Sequence, residues 1–339
     1  MGPQVPLPAM PPANLSADPR CRKFRRAVSI PALLRTMEEN ARVDPAAALP
    51  IQPAGMAEAS QFLRLRNSGE NACYANSVVQ VLFGMGDPFL GRLLRCSGEN
   101  RVLTQLAILR RREMERPGDI HCGKALRSCV GPMFRNNNQQ DAGEFLGCIV
   151  NSFLPGGCQD MLAFSVSTEF RCISCGQDSN SVVPCSYILN LNLPSRGRVT
   201  WMEWLKQREF VERDCGVCNR GRQHSSQTTI DVFPTANYLV IEIGLFFNDR
   251  DSGGIWRSEG SVVGVRSAGV KVGTAKFFPV AAVKHEGDSP DSGHYTAYVK
   301  RPTGGWLEIS DSSASSRSSL PTGLKGIRVL VLQREGLLN

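Results

Sequence analysis

The hydrophobic period of this chain changes near its middle, and that change limits the folds open to it. Apolar residues recur at helical spacing at 77–85 (SVVQVLFGM), at 101–116 (RVLTQLAILRRREMER) and at 139–153. The second half instead alternates in short runs broken by Gly, Ser and Pro, which is a strand pattern. Helices first and strands afterwards predict an α+β domain. Residues 1–58 follow neither period: they hold ten of the 21 prolines, along with PPAN and AAALP. A mostly disordered tail is expected there, with one short helix near residues 30–42, and the folded domain is expected over 59–336.

Several function classes drop out on composition. The amino terminus, MGPQVPLPAMPPANLS, lacks both the charged start and the apolar core of a signal peptide. YLVIEIGLFF, the longest membrane candidate, carries Glu242 and has the length of a strand. No Ser or Thr follows Gly2 at the spacing that lipidation needs. The expected location is therefore cytoplasmic or nuclear, where the twelve cysteines stay reduced and pairs of them serve as metal ligands or catalytic groups. The net charge of +8 and the run RCRKFRR (20–26) fit a solvated tail or a nuclear address better than nucleic-acid binding.

One thiol stands apart. In NSGENACYANSVVQVLF (67–83), Val78, Val81, Leu82 and Met85 fall on one helix face, and the first turn of that helix begins near Cys73. Free backbone N–H groups and the helix dipole favour a thiolate there, the nucleophilic form of cysteine. Asn67 and Asn71 lie just upstream, with Gly69 allowing a tight bend, so their amides are candidate donors to an oxyanion beside the sulfur. Such a thiol needs a base. Of the four histidines (121, 224, 285 and 294), His294 follows Gly293 and opens HYTAYVK, an alternating strand. RPTGG and WLEIS come next, so a hairpin brings Ser310, Asp311 or Ser312 opposite His294, and strand register alone does not choose among the three.

These residues carry a resemblance. Over about residues 60–335 the chain resembles the ubiquitin-specific proteases, papain-like cysteine peptidases. Four blocks match in family order: NSGENACYANSVVQVL, QQDAGEFL (139–146), HEGDSPDSGHYTAYV and WLEISDSS. The resemblance implies a helical part carrying the nucleophile Cys73 and a β-rich part carrying the base His294. It places the histidine-orienting residue at Ser310, where most members have Asp or Asn, with Asp311 as the family's second acidic position. It also implies that Gln140 and Asp141 meet the arginine-rich tail of ubiquitin. The Asn five residues before the nucleophile in most members has no equivalent here, since Ser68 stands there; Asn67 sits six before, as though Glu70 were inserted.

CISCG (172–176) and CGVCN (215–219) are two C-x-x-C pairs whose spacing suits a closed tetrahedral zinc site. Their flanks, strand-like SVSTEFR and SYILNLNLP around the first pair, then helix-like VTWMEWLKQREF before the second and TTIDVFPTANYLVIEI after it, resemble the zinc-bearing β extension of the same family, which implies one structural Zn2+ held by Cys172, Cys175, Cys215 and Cys218. The implied function is a thiol-dependent deubiquitinase acting on ubiquitin and ubiquitinated proteins. A catalytically weak ubiquitin-binding scaffold and a protease for a related modifier are the alternatives at this stage. The oligomeric state is open.

Overall fold

The computed structural model describes residues 62–336 apart from 96–99, 153–158, 207, 219–222, 249–253 and 266–268. The tail 1–58, its expected helix and the basic run lie outside the described residues.

Helix α1 (Cys73–Gly84) is buried from Cys73 through Leu82. Its polar residues Asn76, Ser77 and Gln80 are buried along with the apolar ones, so the helix is covered on all sides. The strand β1 (Arg64–Leu65) leads into it, and α2 (Asp87–Arg95) and α3 (Arg101–Glu115) follow. The Asn100 side chain caps α3 by accepting from the amides of Val102 and Leu103 at 2.9 and 3.2 Å. Strand β2 (Ile120–His121) pairs in parallel with β1, and α4 (Lys124–Val130) and α5 (Ala142–Ser152) complete the helical half. Tyr74 of α1 meets Phe145 of α5 edge-on at 5.5 Å, and Phe134 meets the same ring at 4.9 Å. The three helices expected from periodicity form here. Helix α4 is only seven residues long and α2 contains Pro88 and Gly91, so neither gives a sustained period.

From Phe164 onward the chain is mostly strand. In order come β3 (Phe164–Cys172), β4 (Asp178–Ser186), β5 (Leu189–Asn192), β6 (Arg198–Thr200), the short helix α6 (Trp201–Leu205), β7 (Arg208–Glu212), β8 (Gln223–Val232) and β9 (Tyr238–Gly244). They are followed by β10 (Phe246–Asn248), β11 (Ile255–Arg257), β12 (Ser261–Val263), β13 (Val270–Val272) and β14 (Ala275–Ser289). The last four strands are β15 (Ser292–Lys300), β16 (Trp306–Ser310), β17 (Ser313–Arg317) and β18 (Ile327–Arg334).

The main sheet runs β17-β16-β15-β14-β18-β9-β5, with β13 on β14. Its two faces feed two cores. Val329 and Val331 of β18 join the helices, whereas Leu330 and Leu332 join a second core with Trp201 and Trp204 of α6. Burial on both faces explains the apolar runs 238–241 of β9 and 329–332 of β18. Helix α1 lies against β15 so closely that a Cβ on Gly84 would stand 2.6 Å from a Val299 methyl. A separate antiparallel sheet, β4-β3-β8-β7, projects the two C-x-x-C segments at one end.

The fold differs from sequence expectation in three places. VTWMEWLKQREF starts as a helix with a Thr200–Glu203 capping box, but stops at Leu205; its continuation pairs as β7 with β8. EGDSPDSG, whose polar composition after His285 reads as a loop, forms the tip of the β14–β15 hairpin, with a register shift between Glu286 and Ser289. In NDRDSGGIWRSEGS (248–261), whose Gly and Ser content reads as a mobile loop, β11 pairs with β10; residues 249–253 lie outside the described residues.

Candidate active site

Residues 66–72 reach α1 through a tight turn: Gly69 has φ 69° and Asn71 φ 45°. The turn is held by its own side chains. Asn67 Oδ1 accepts from the Ala72 amide at 2.6 Å, and Asn71 Nδ2 donates to the Asn137 carbonyl at 2.8 Å. Glu70, the residue that looks inserted, pairs with Arg127 at 2.5 Å and with Arg66 at 3.2 Å. Arg127 is buried, so this ion pair ties the extra residue to the helical core. The helical ladder of α1 starts with the Asn76 amide on the Ala72 carbonyl, so Cys73 sits in the first turn, where amides have no helical acceptor.

His294 arrives from β15. Its Nε2 lies 2.8 Å from Ser310 Oγ, which leaves Nδ1 for the thiol. Hydrogen bonding to the Cys73 sulfur is the main influence raising its pKa above 6.5; burial opposes this, and the charges of Cys73, Asp311 and Glu286 add to the rise. Strand alternation decides which neighbour His294 touches. Tyr298 pairs with Glu308, so His294 and Ser310 fall on the same face as diagonal neighbours, and Asp311 lies past the end of β16. Asp311, at φ 52°, turns back to the cysteine loop. It accepts from Asn67 Nδ2 at 3.0 Å and from Asn76 Nδ2 at 2.7 Å. The carboxylate of Asp311, expected to carry part of the orienting role beside the more direct Ser310, binds the loop and acts on the imidazole through its charge.

The two expected oxyanion donors are likewise engaged elsewhere. Asn67 directs one N–H to Asp311 and Asn71 directs one to the Asn137 carbonyl. The side-chain amide against the sulfur belongs instead to Gln139, whose Nε2 and Oε1 both lie 3.7 Å from Cys73 Sγ. Sequence reading passed over it because it precedes, by one residue, the Gln140 and Asp141 singled out in the same block. Gln140 is half-buried. Asp141 is committed to the fold: Arg328 Nε and Nη2 each donate to its carboxylate at 2.8 Å, and it caps α5 through the Glu144 amide at 2.9 Å. Burial pushes its pKa up, but the Arg328 charge and hydrogen bonds outweigh this and hold it below 3.8. Arg328 also binds Glu242 at 2.5 Å. Asp141 thus already has a charged partner within the fold.

His285, the other histidine of the hairpin, lies buried beneath it. Its Nδ1 faces Arg257 Nη1 at 3.2 Å and its Nε2 faces the Ser292 carbonyl at 3.2 Å. That pattern fits the neutral Nε2–H tautomer, and burial followed by the Arg257 charge lowers its pKa.

At the far end of the second sheet, the sulfurs of Cys172, Cys175, Cys215 and Cys218 all lie within 4.8 Å of one another. Cys172–Cys218 and Cys175–Cys215 are 3.8 and 3.7 Å apart. These distances are too long for disulfides, and they match the roughly 3.8 Å between sulfurs of a tetrahedron with metal–sulfur bonds of about 2.3 Å. Gly176, at φ 72°, makes the bend after the first pair. The four thiols could hold a metal ion.

Comparison with known proteins agrees with this geometry. The rice (Oryza sativa subsp. japonica) protein Ubiquitin carboxyl-terminal hydrolase 26 is 25% identical over 285 residues, which cover 75% of this chain and 26% of that protein. Ubiquitin carboxyl-terminal hydrolase 25 of Arabidopsis thaliana is 24% identical over 296 residues, covering 75% of this chain and 44% of that protein. The chain thus spans less than half the length of either relative. The family model for ubiquitin carboxyl-terminal hydrolase matches residues 63–322, from the strand before the cysteine loop to beyond Ser310, and the chain belongs to that family.

Proposed function

We propose that this protein is a thiol-dependent deubiquitinase that hydrolyses the bond after the carboxyl-terminal glycine of ubiquitin. The observation that carries this reading is the line of contacts from Cys73 through His294 to Ser310, set at the first turn of a helix. In the reaction, Cys73 Sγ gives its proton to His294 Nδ1 and adds to the glycine carbonyl carbon. The imidazolium then protonates the leaving amine, which departs as the acyl-enzyme forms. Water, activated by the same imidazole, adds to the thioester and releases ubiquitin. Ser310 Oγ accepts the Nε2–H and keeps the ring facing the sulfur. As a neutral acceptor it stabilises imidazolium less than a carboxylate would, and the through-space charge of Asp311 supplies part of the difference.

The four thiols of the second sheet fit a structural zinc ion, which would be held by Cys172, Cys175, Cys215 and Cys218 with no position left for a substrate. Ubiquitin and ubiquitinated proteins are the partners this reading implies, in the cytoplasm or nucleus. A ubiquitin probe with an electrophile at its carboxyl terminus tests it. Covalent labelling of the full chain that disappears in Cys73→Ala supports the proposal. Reversible binding without labelling indicates a scaffold, and labelling only by a probe of another modifier redirects the substrate.

A further inference from the structure

We infer that Gln139 is a catalytic residue, donating from Nε2 to the oxyanion that forms beside Cys73; this rests on the acyl-transfer reading above. When Sγ adds to the carbonyl carbon, the C=O π pair moves onto oxygen, and the thiol proton goes to His294. The new negative charge develops within about 3 Å of the sulfur and needs preorganised donors there. The Cys73 backbone N–H, in the first turn of α1, is one. A second has to come from a side chain, and the amide held against Sγ is that of Gln139, whereas Asn67 and Asn71 each commit an N–H to another partner. Asn67 is held through both its polar atoms, by Asp311 and by the Ala72 amide. Asn71 donates to Asn137.

Gln139 instead has its amide against Sγ. The segment carrying it is fastened on both sides. Two residues before it, the Asn137 carbonyl accepts from Asn71 at 2.8 Å. Two residues after it, Asp141 is clamped by Arg328. The Asn136 carbonyl takes a further bond from Arg127 at 3.4 Å. Gln139 Nε2 needs no backbone movement to face the oxyanion, so the donor costs little reorganisation at the moment of reaction. The Asp141–Arg328 and Glu70–Arg127 ion pairs gain a purpose by the same argument: they hold the two loops between which the oxyanion forms.

The experiment compares wild type with Gln139→Ala and Gln139→Glu on a ubiquitin-derived substrate, alongside affinity for ubiquitin aldehyde, whose adduct with Cys73 is tetrahedral. The alanine variant is expected to lose about 100-fold in kcat with KM within about twofold, and to lose aldehyde affinity in parallel. Alkylation of Cys73 by iodoacetamide, which forms no oxyanion, should stay within about threefold of wild type. Gln139→Glu, which offers an acceptor in place of the donor, should be at least as slow. The assignment is overturned if kcat barely changes. It is also overturned if alkylation falls as far as kcat, which would make Gln139 a thiol-positioning residue, or if ubiquitin itself binds as weakly as the aldehyde. A wild-type chain that neither cleaves the substrate nor binds the aldehyde sinks the deubiquitinase reading and this assignment together. An active wild type indifferent to residue 139 sinks the assignment alone.

Discussion

Adjacent residues Ser310 and Asp311 do different work because β16 ends between them: Ser310 keeps the strand's direction and Asp311 turns away at φ 52°. Ser310 meets His294 while Asp311 meets Asn67 and Asn76. Ser310→Ala should leave folding intact and lower kcat by about tenfold, the loss of one orienting hydrogen bond of about 1–1.5 kcal/mol. Ser310→Asp should raise the His294 pKa further and move the alkaline limb of the pH–rate profile upward; a profile identical to wild type in both variants would remove Ser310 from the catalytic set. Asp141 gives a stability prediction. Its folded pKa is depressed, so its pair with Arg328 contributes fully above 3.8 and is lost as the pH falls through the folded value. Asp141→Asn should cost about 1–3 kcal/mol in urea unfolding at neutral pH, with Glu242 limiting the damage, and the gap from wild type should close in strong acid.

Helix α1 and strand β15 carry Cys73 and His294, the proposed nucleophile and base, and their contact sets the distance between the two. Gly84 is where that contact is tightest. Alanine there would improve helix propensity by about 1 kcal/mol, yet its Cβ would meet the stiff, β-branched Val299, and overpacking of that kind costs about 1–3 kcal/mol. The packing term should win, so we expect Gly84→Ala to destabilise the protein in denaturant titration and to slow the reaction by displacing Cys73 from His294. A neutral or stabilising result would show that α1 can shift on the sheet without consequence. The loop before α1 works with the helix as one unit: Asp311 pulls on it from β16 and Arg127 from α4, which is why an additional Glu70 is accommodated.

At the scale of the molecule, the helical half and the main sheet share a core, whereas the β4-β3-β8-β7 sheet carries its cysteine tetrad at a distance from it. Strand β4 is largely exposed, so apolar packing gives that end little support. One zinc ion per chain is therefore expected by elemental analysis. Chelation, or Cys175→Ser, should open residues 164–232 to proteolysis while the helical core keeps its circular dichroism. A metal-free preparation with unchanged protease resistance would refute the structural role.

Local pattern was enough to read α1, α3 and α5, the strand that opens at His294, and the thiol pairs, because helix period, strand alternation and C-x-x-C spacing are properties of neighbours in the chain. It was not enough for α6, whose helical pattern yields after Leu205 to the pairing of β7 with β8. Nor could it assign the partners of Asp311, Asp141 and Asn67. Each is a polar residue with several chemically suitable mates, and the mate is chosen by which side chain the fold brings within about 3 Å. The sequence by itself determined which residues are capable of acyl transfer and of metal binding. Only the tertiary structure decided that Ser310 holds the histidine, that Asp141 belongs to Arg328 and that Gln139 faces the sulfur, because hydrogen bonds are short-ranged and directional and here join residues 16 to 187 positions apart in the chain.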